Sequence, residues 1–239
     1  MGPRLRQLPA RALPNGIVDL LRQIAFMAVA YLGYRFVRGA VDDPQGAAIA
    51  FENARRLIAL EQDLNVYVEA AVQDWAARVP ALMDVSSWVY INAQTSVTLG
   101  ALAYLYLFHN PSFYFVRNMF AVALAIALVG YVVYPTAPPR FFPEWGFTDA
   151  VSQFAGVDHD DQVNDLFNPY AAVPSMHVGF ALMIGVPLSR LVSSRWLRGF
   201  WAIYPLLVTF VIVATANHWL ARARPAAWAF APGPRVAPS

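Results

Sequence analysis

The chain has 239 residues, 58% of them hydrophobic and 13% charged, with a mean hydropathy of +0.43 and a formal net charge of +2. That is too apolar for an ordinary soluble domain of this length, and the scattered arginines are too few for a nucleic-acid partner, so the expected partner is the bilayer. Cys 0 excludes disulfides, thiolate chemistry and cysteine zinc sites, and all 17 basic residues are arginine.

In chain order, residues 1–16 read as a cytoplasmic N-terminal segment carrying Arg4, Arg6 and Arg11, without the small-residue cleavage site of a removable signal peptide. Residues 17–219 read as one membrane domain holding five apolar runs. These are about Ile17 to Val37, Val85 to Phe108, Met119 to Tyr134, Pro174 to Leu191 and Leu197 to Trp219. The first is the weakest, since it carries Arg22 and Arg35, with Arg38 just beyond. Between the first two runs, Ala47 to Arg78 is too charged to span. Leu57, Leu60, Leu64, Val68, Ala71 and Trp75 recur there at threes and fours. That spacing predicts an amphipathic helix, lying on the membrane surface or packed on the bundle and broken near Asp63-Leu64-Asn65. Asn92, Gln94, Thr95, Ser96 and Thr98 in the second run are expected to face the bundle interior. The fold class is all-α, a polytopic transmembrane helical bundle with an interfacial helix.

Charge sets the orientation. The short links holding Arg117, and Arg190, Arg195 and Arg198, contain arginines and no acids. The other two loops are acidic: Asp42 through Asp84, and Glu144, Asp149, Asp158, Asp160, Asp161 and Asp165. The positive-inside rule then predicts a multi-pass cell-membrane protein with its N-terminus in the cytoplasm and both acidic loops outside.

That topology gathers three groups on the outer face. His177 closes Pro174-Ser175-Met176-His177 where the fourth run begins, and His218 follows Ala216-Asn217 where the fifth ends. The two are 41 residues apart, which two spans of about 20 residues and a turn use up, so the hairpin brings the imidazoles back to one face. Arg140 lies just beyond the third run, its approach fixed by Pro138-Pro139. Two imidazoles and a guanidinium suit chemistry on a phosphate, which arginine grips bidentately. Ser175 either caps the fourth helix or offers its hydroxyl to a phosphate at a helix N-terminus. His109 reads as an interfacial residue. His159, in Asp158-His159-Asp160-Asp161, reads as part of a solvated acidic loop rather than a cation site.

Pro135-Thr136-Ala137-Pro138-Pro139-Arg140, Asn168 through His177 and Asn217-His218 together resemble the type 2 phosphatidic acid phosphatase superfamily, and within it the inositol phosphorylceramide synthase-like branch. The resemblance runs from about Asn53 to His218. It implies a metal-independent lipid phosphatase or phosphotransferase without cofactor, acting on a phospholipid or polyprenyl phosphate, with inositol-phosphate transfer to a lipid among its reactions. His218 is then similar to the nucleophile that becomes phosphohistidine, His177 to the general acid, and Arg140 and Ser175 to the phosphoryl-binding pair. A polyprenyl diphosphate phosphatase and a catalytically silent membrane scaffold or lipid-binding protein are the alternatives. The chain departs from the family where an aspartate is expected one turn after the nucleophile, since Arg222 stands there and no acid follows His218. Residues 220–239 are rich in Arg, Ala and Pro. They read as a disordered or out-of-frame tail in place of a sixth span, and slow turnover is expected without the acid.

Overall fold

The computed structural model describes residues 13–40, 44–155, 170 and 172–220. Among these residues the elements are helical: α1 Gly16–Ala40, α2 Pro44–Asp63, α3 Glu69–Ala77, α4 Pro80–Trp88, α5 Gln94–Phe108, α6 Asn110–Val133, α7 Ala150–Ala155, α8 Met176–Leu191 and α9 Arg195–Ala214. The acidic stretch with Asp158, His159, Asp160, Asp161 and Asp165 lies outside the described residues, as do Arg4, Arg6, Arg11, Arg222 and the rest of the tail.

Three helices, Gly16–Tyr34, Asn110–Val133 and Arg195–Ala214, are long and apolar enough to cross a membrane, and Met176–Leu191 is a shorter apolar helix. Their outward faces are hydrocarbon: Val29 is 71% exposed, Val133 74% and Leu206 69%. A water-facing surface of that kind would be costly, whereas lipid tails solvate it freely. The chain is an all-α membrane helical bundle.

The second predicted run is one helical rod from α4 through a π-helical segment, Val89–Ala93, into α5. Only part of the expectation for its polar residues holds. Thr98 is buried, but Asn92, Thr95 and Ser96 point outward. Asn92 and Ser96 satisfy themselves locally: the Asn92 amide donates to the Trp88 carbonyl at 3.0 Å and the Ser96 hydroxyl to the Asn92 carbonyl at 2.7 Å.

The amphipathic segment divides where the sequence indicated. α2 ends at Asp63, Asn65 adopts a left-handed φ of 53°, and α3 begins at Glu69. Its buried face differs from the predicted stripe. Ala50, Asn53, Ala54, Leu57, Ile58 and Glu61 turn inward, while Leu64, Val68 and Trp75 stay exposed. Counting apolar residues misses this because polar Asn53, Glu61, Glu69 and Gln73 occupy buried positions, and Asn53, Glu69 and Gln73 are held there by hydrogen bonds to backbone groups instead of by hydrophobicity.

At the centre, α8 lies along α9, with α5 and α6 against α8 and α1 against α6. The close α8–α9 approach has a local cause. Pro205 has no N–H to give the Trp201 carbonyl one turn earlier, and Gly185 presents only its backbone to that carbonyl. Asp19 accepts hydrogen bonds from the hydroxyls of Tyr106 at 3.0 Å and Tyr114 at 2.7 Å and from the Gln23 amide at 2.9 Å, which ties α1 to the α5–α6 hairpin.

Candidate active site

Three short non-helical segments meet at one end of the α8–α9 hairpin, and the sequence explains each. α9 stops in a Schellman turn: Ala216 takes a left-handed φ of 54°, its N–H bonds the Val213 carbonyl at 3.0 Å, and the Asn217 N–H bonds the Ile212 carbonyl at 3.0 Å. The turn swings Asn217 and His218 off the helix axis into the protein, where both are buried. Trp219 then anchors the exit by donating its indole N–H to the Ala137 carbonyl at 2.7 Å. Glu69, fully buried on α3, accepts the Leu220 N–H at 2.9 Å.

The segment from Pro135 to Pro138 runs extended because its prolines bar it from an α-helix, and Pro139–Phe141 then forms one 3-10 turn that carries Arg140. Thr136 donates its N–H to the Tyr170 carbonyl at 2.8 Å and accepts from the Ala172 N–H at 3.2 Å. On the other side, the Ala137 N–H reaches the Ala50 carbonyl at 3.1 Å and the Asn53 amide donates to the Pro135 carbonyl at 2.8 Å. The third segment, Ala172 to Ser175, leads into α8. Tyr131 on α6 donates its hydroxyl to the Pro174 carbonyl at 2.9 Å.

These constraints bring His177 and His218 into contact, with Nδ1 of His177 3.2 Å from Nε2 of His218. Nδ1 of His218 lies 2.8 Å from the Ala172 carbonyl oxygen. A carbonyl only accepts, so Nδ1 of His218 carries the hydrogen, and in the neutral ring Nε2 is left as the lone-pair nitrogen. Nδ1 of His177 therefore donates to it. One tautomer is selected by a backbone oxygen.

Arg140 is braced from two sides. Its Nη1 donates to the Asn217 side-chain oxygen, its Nε lies 3.3 Å from Oδ2 of Asp149, and its backbone N–H bonds the Ala216 carbonyl at 2.9 Å. The guanidinium carbon sits 4.9 Å from the Phe141 ring centroid. Asp149 is fixed in turn: its Oδ1 accepts the Ser152 N–H at the start of α7, and Gln73 pairs with the backbone of Thr148 through both amide atoms, at 2.8 and 3.1 Å. Because Asn217 adjoins His218, the arginine and the imidazole pair share one frame.

Ser175 occupies the N-cap of α8 but makes no capping bond, and its buried hydroxyl has no hydrogen-bond partner among the described residues. The helix-capping alternative is therefore not what the side chain does. A buried hydroxyl without a partner, two residues before His177 and at a helix N-terminus, is suited to a ligand's oxygen. His109 pairs with the Tyr104 hydroxyl at 3.3 Å at the junction of α5 and α6, apart from this frame. Among the described residues, no cluster of three or more His, Asp or Glu side chains is placed to hold a metal.

Sequence reasoning does not single out four participants. Asn217 stands next to His218, and that adjacency is the available signal. Asp149 reads in the sequence only as loop charge. Ala172 acts through its backbone, which no residue type announces. Tyr90, whose ring stacks on His177, lies in an apolar run and carries no signal by spacing.

A membrane bundle with two imidazoles, a braced guanidinium and a buried hydroxyl at one end defines a class, that of helical membrane proteins equipped for phosphate chemistry. The chain belongs to the PAP2 superfamily, whose family model matches residues 55–223, a stretch that includes Arg140, Ser175, His177 and His218. No curated protein and no solved structure matches the chain. Membership supports a phosphatase-type activity on membrane lipids.

Proposed function

We propose that the protein transfers a phosphoryl group from a membrane lipid through a phosphohistidine on His218, at a site on the extracytoplasmic face. The observation that supports this most directly is the ordered relay from Ala172 through His218 to His177, with contacts of 2.8 and 3.2 Å. The relay leaves Nε2 of His218 as a nucleophile and gives Nδ1 of His177 a proton to donate.

In the first half-reaction the phosphoryl group takes the place of the His177–His218 hydrogen bond. A bond forms between Nε2 of His218 and phosphorus as the bond from phosphorus to the lipid oxygen breaks. His177, entering as the imidazolium, gives the Nδ1 proton to the departing oxygen and becomes neutral, while His218, now bonded to phosphorus, becomes cationic. In the second, a hydroxyl attacks phosphorus, its proton passes to His177, and the N–P bond breaks. Arg140 and the Ser175 hydroxyl meet the charge on the phosphoryl oxygens, a role that needs fixed donors aimed where charge develops. Water as acceptor makes the protein a phosphatase. A lipid or inositol hydroxyl as acceptor would make it a phosphotransferase; transfer of inositol phosphate to a lipid would use a lipid hydroxyl, with inositol phosphate as the group held on His218.

The test is trapping of ³²P from a labelled phospholipid. His218→Ala is expected to abolish the covalent phosphoenzyme. His177→Ala is expected to keep forming it from p-nitrophenyl phosphate, whose leaving group needs no proton, but not from phosphatidic acid. Label remaining in His218→Ala would sink the reading. Release of free phosphate, compared with transfer to added inositol or diacylglycerol, separates phosphatase from transferase.

A further inference from the structure

We propose that Tyr90 is a positioning residue for His177. Its ring, set by the π-helical segment, holds the imidazole in the plane from which it protonates the leaving oxygen. The inference rests on the acid role of His177 proposed above.

The geometry is a face-to-face stack: the two ring centroids are 4.7 Å apart and the planes are inclined by 21°. An imidazole needs such a neighbour, because the torsion that turns the ring about its bond to Cβ has broad wells and does not fix the plane by itself. The 3.2 Å bond to His218 also orients the ring, but that bond gives way when a phosphoryl group enters between the two nitrogens. The stack does not depend on that bond and survives its loss. When His177 is protonated, the π face of Tyr90 additionally favours the cation.

The placement of Tyr90 has a built cause. Val89–Ala93 is π-helical, interrupting the rod between α4 and α5. One residue inserted into an α-helical rod turns its downstream half by about 100° relative to its upstream half, so the bulge sets which side chains face α8. Widening a turn leaves carbonyls without their usual donors. Here Asn92 supplies a donor to the Trp88 carbonyl and Ser96 one to the Asn92 carbonyl. The polar side chains that face outward from this rod are thus bonded to the rod's own carbonyls. On its inner side Tyr90 and Gln94 join His177, Tyr204, Val208 and Ile212 around a small pocket of about 10 Å³.

The experiment compares Tyr90→Leu, Tyr90→Phe and wild type with phosphatidic acid and with p-nitrophenyl phosphate in the same micelles. Tyr90→Leu is expected to lower kcat on phosphatidic acid by about 10- to 100-fold, the scale of a misplacement near 1 Å, while changing p-nitrophenyl phosphate turnover by less than about threefold. Tyr90→Phe keeps the π face and is expected to stay within about threefold on both. Unimpaired phosphoenzyme formation from p-nitrophenyl phosphate in Tyr90→Leu serves as the folding control. Should that variant fail to fold, Asn92→Ala, on the exposed side of the rod, is expected to show the same selective loss at about 3- to 10-fold. Equal losses on both substrates, no loss on either, or a Phe variant as impaired as Leu would overturn the proposal. His177→Ala, run in parallel, separates the two claims. If it shows no dependence on leaving group, the acid role itself is wrong. If it does and Tyr90→Leu does not, only the positioning role is wrong.

Discussion

Gly185→Ala tests whether the histidines meet because α8 and α9 touch backbone to backbone. A Cβ added at Gly185 would sit 2.7 Å from the Trp201 carbonyl oxygen and 3.2 Å from both Cδ and Cγ of Pro205, where ordinary contact begins at 3.4 Å. The shortfall is about 0.7 Å against a carbonyl and a proline ring, neither of which swings aside as the end of a flexible side chain would. Overpacking on this scale costs about 1–3 kcal/mol. Relief has to come from parting the helices, and His177 lies eight residues along α8, roughly 12 Å away at 1.5 Å per residue. A parting near 0.7 Å disturbs the 3.2 Å contact to His218 enough to lower kcat by about 10- to 100-fold. Phosphatidic acid turnover and thermal unfolding in detergent report the two effects. A variant that melts with the wild type and keeps its kcat within about twofold would refute the described approach of the helices, and with it the account of why the imidazoles meet.

Asn217→Ala removes the acceptor for Nη1 of Arg140 and is expected to cut kcat/KM about tenfold with a stability loss near 1 kcal/mol, read by kinetics and thermal unfolding. Arg140→Lys is expected to lose more, since an ammonium cannot span both Asn217 and Asp149 while gripping a phosphate. EDTA is expected to leave turnover unchanged, because in the proposed reaction Arg140 and Ser175 do the work a metal would do; strong inhibition would redirect attention to the His159 stretch. Burial, reinforced by the charges of Glu69 and Glu61, pushes the Tyr67 hydroxyl up to about 12. Tyr67 releases its proton more readily unfolded than folded, so its stabilising share is intact below pH 10 and declines between pH 10 and 12. Tyr67→Phe should flatten that decline by an amount of order 1 kcal/mol after solvent screening.

What the sequence reveals, and what it conceals, divides along a physical line. Long apolar runs identify membrane helices because the bilayer demands them, and the spacing of His177 and His218 fixes a hairpin because helix rise is constant. Both features are period and length, which one sequence carries. The buried face of α2 and α3 is not legible in this way, because Asn53, Glu69 and Gln73 are buried through bonds to particular backbone groups, and those groups come from distant segments. The outward turn of Asn92 and Ser96 is hidden as well, because a π-helical segment shifts the register that a plain helical wheel assumes. The Asp149–Arg140–Asn217 brace joins residues from three separate stretches and leaves no local pattern.

The same distinction bears on the acid that this chain lacks four residues after His218. A carboxylate in that place does two separable things: it selects the tautomer and it stabilises the imidazolium. The Ala172 carbonyl, 2.8 Å from Nδ1 of His218, performs the first. Being neutral, it contributes only a dipole to the second. In serine proteases, loss of the orienting aspartate costs about 10⁴ in kcat, chiefly because the wrong tautomer results. Here the right tautomer is already selected, so most of that penalty does not apply. Arg222→Asp, four residues after His218 in the sequence, is therefore expected to raise turnover of phosphatidic acid by no more than about tenfold, since only the charge part of a carboxylate's role is left unfilled. A gain approaching 10⁴ would mean that the carbonyl does not orient the ring. No gain at all would mean that the dipole suffices, and that a backbone atom has fully replaced the carboxylate.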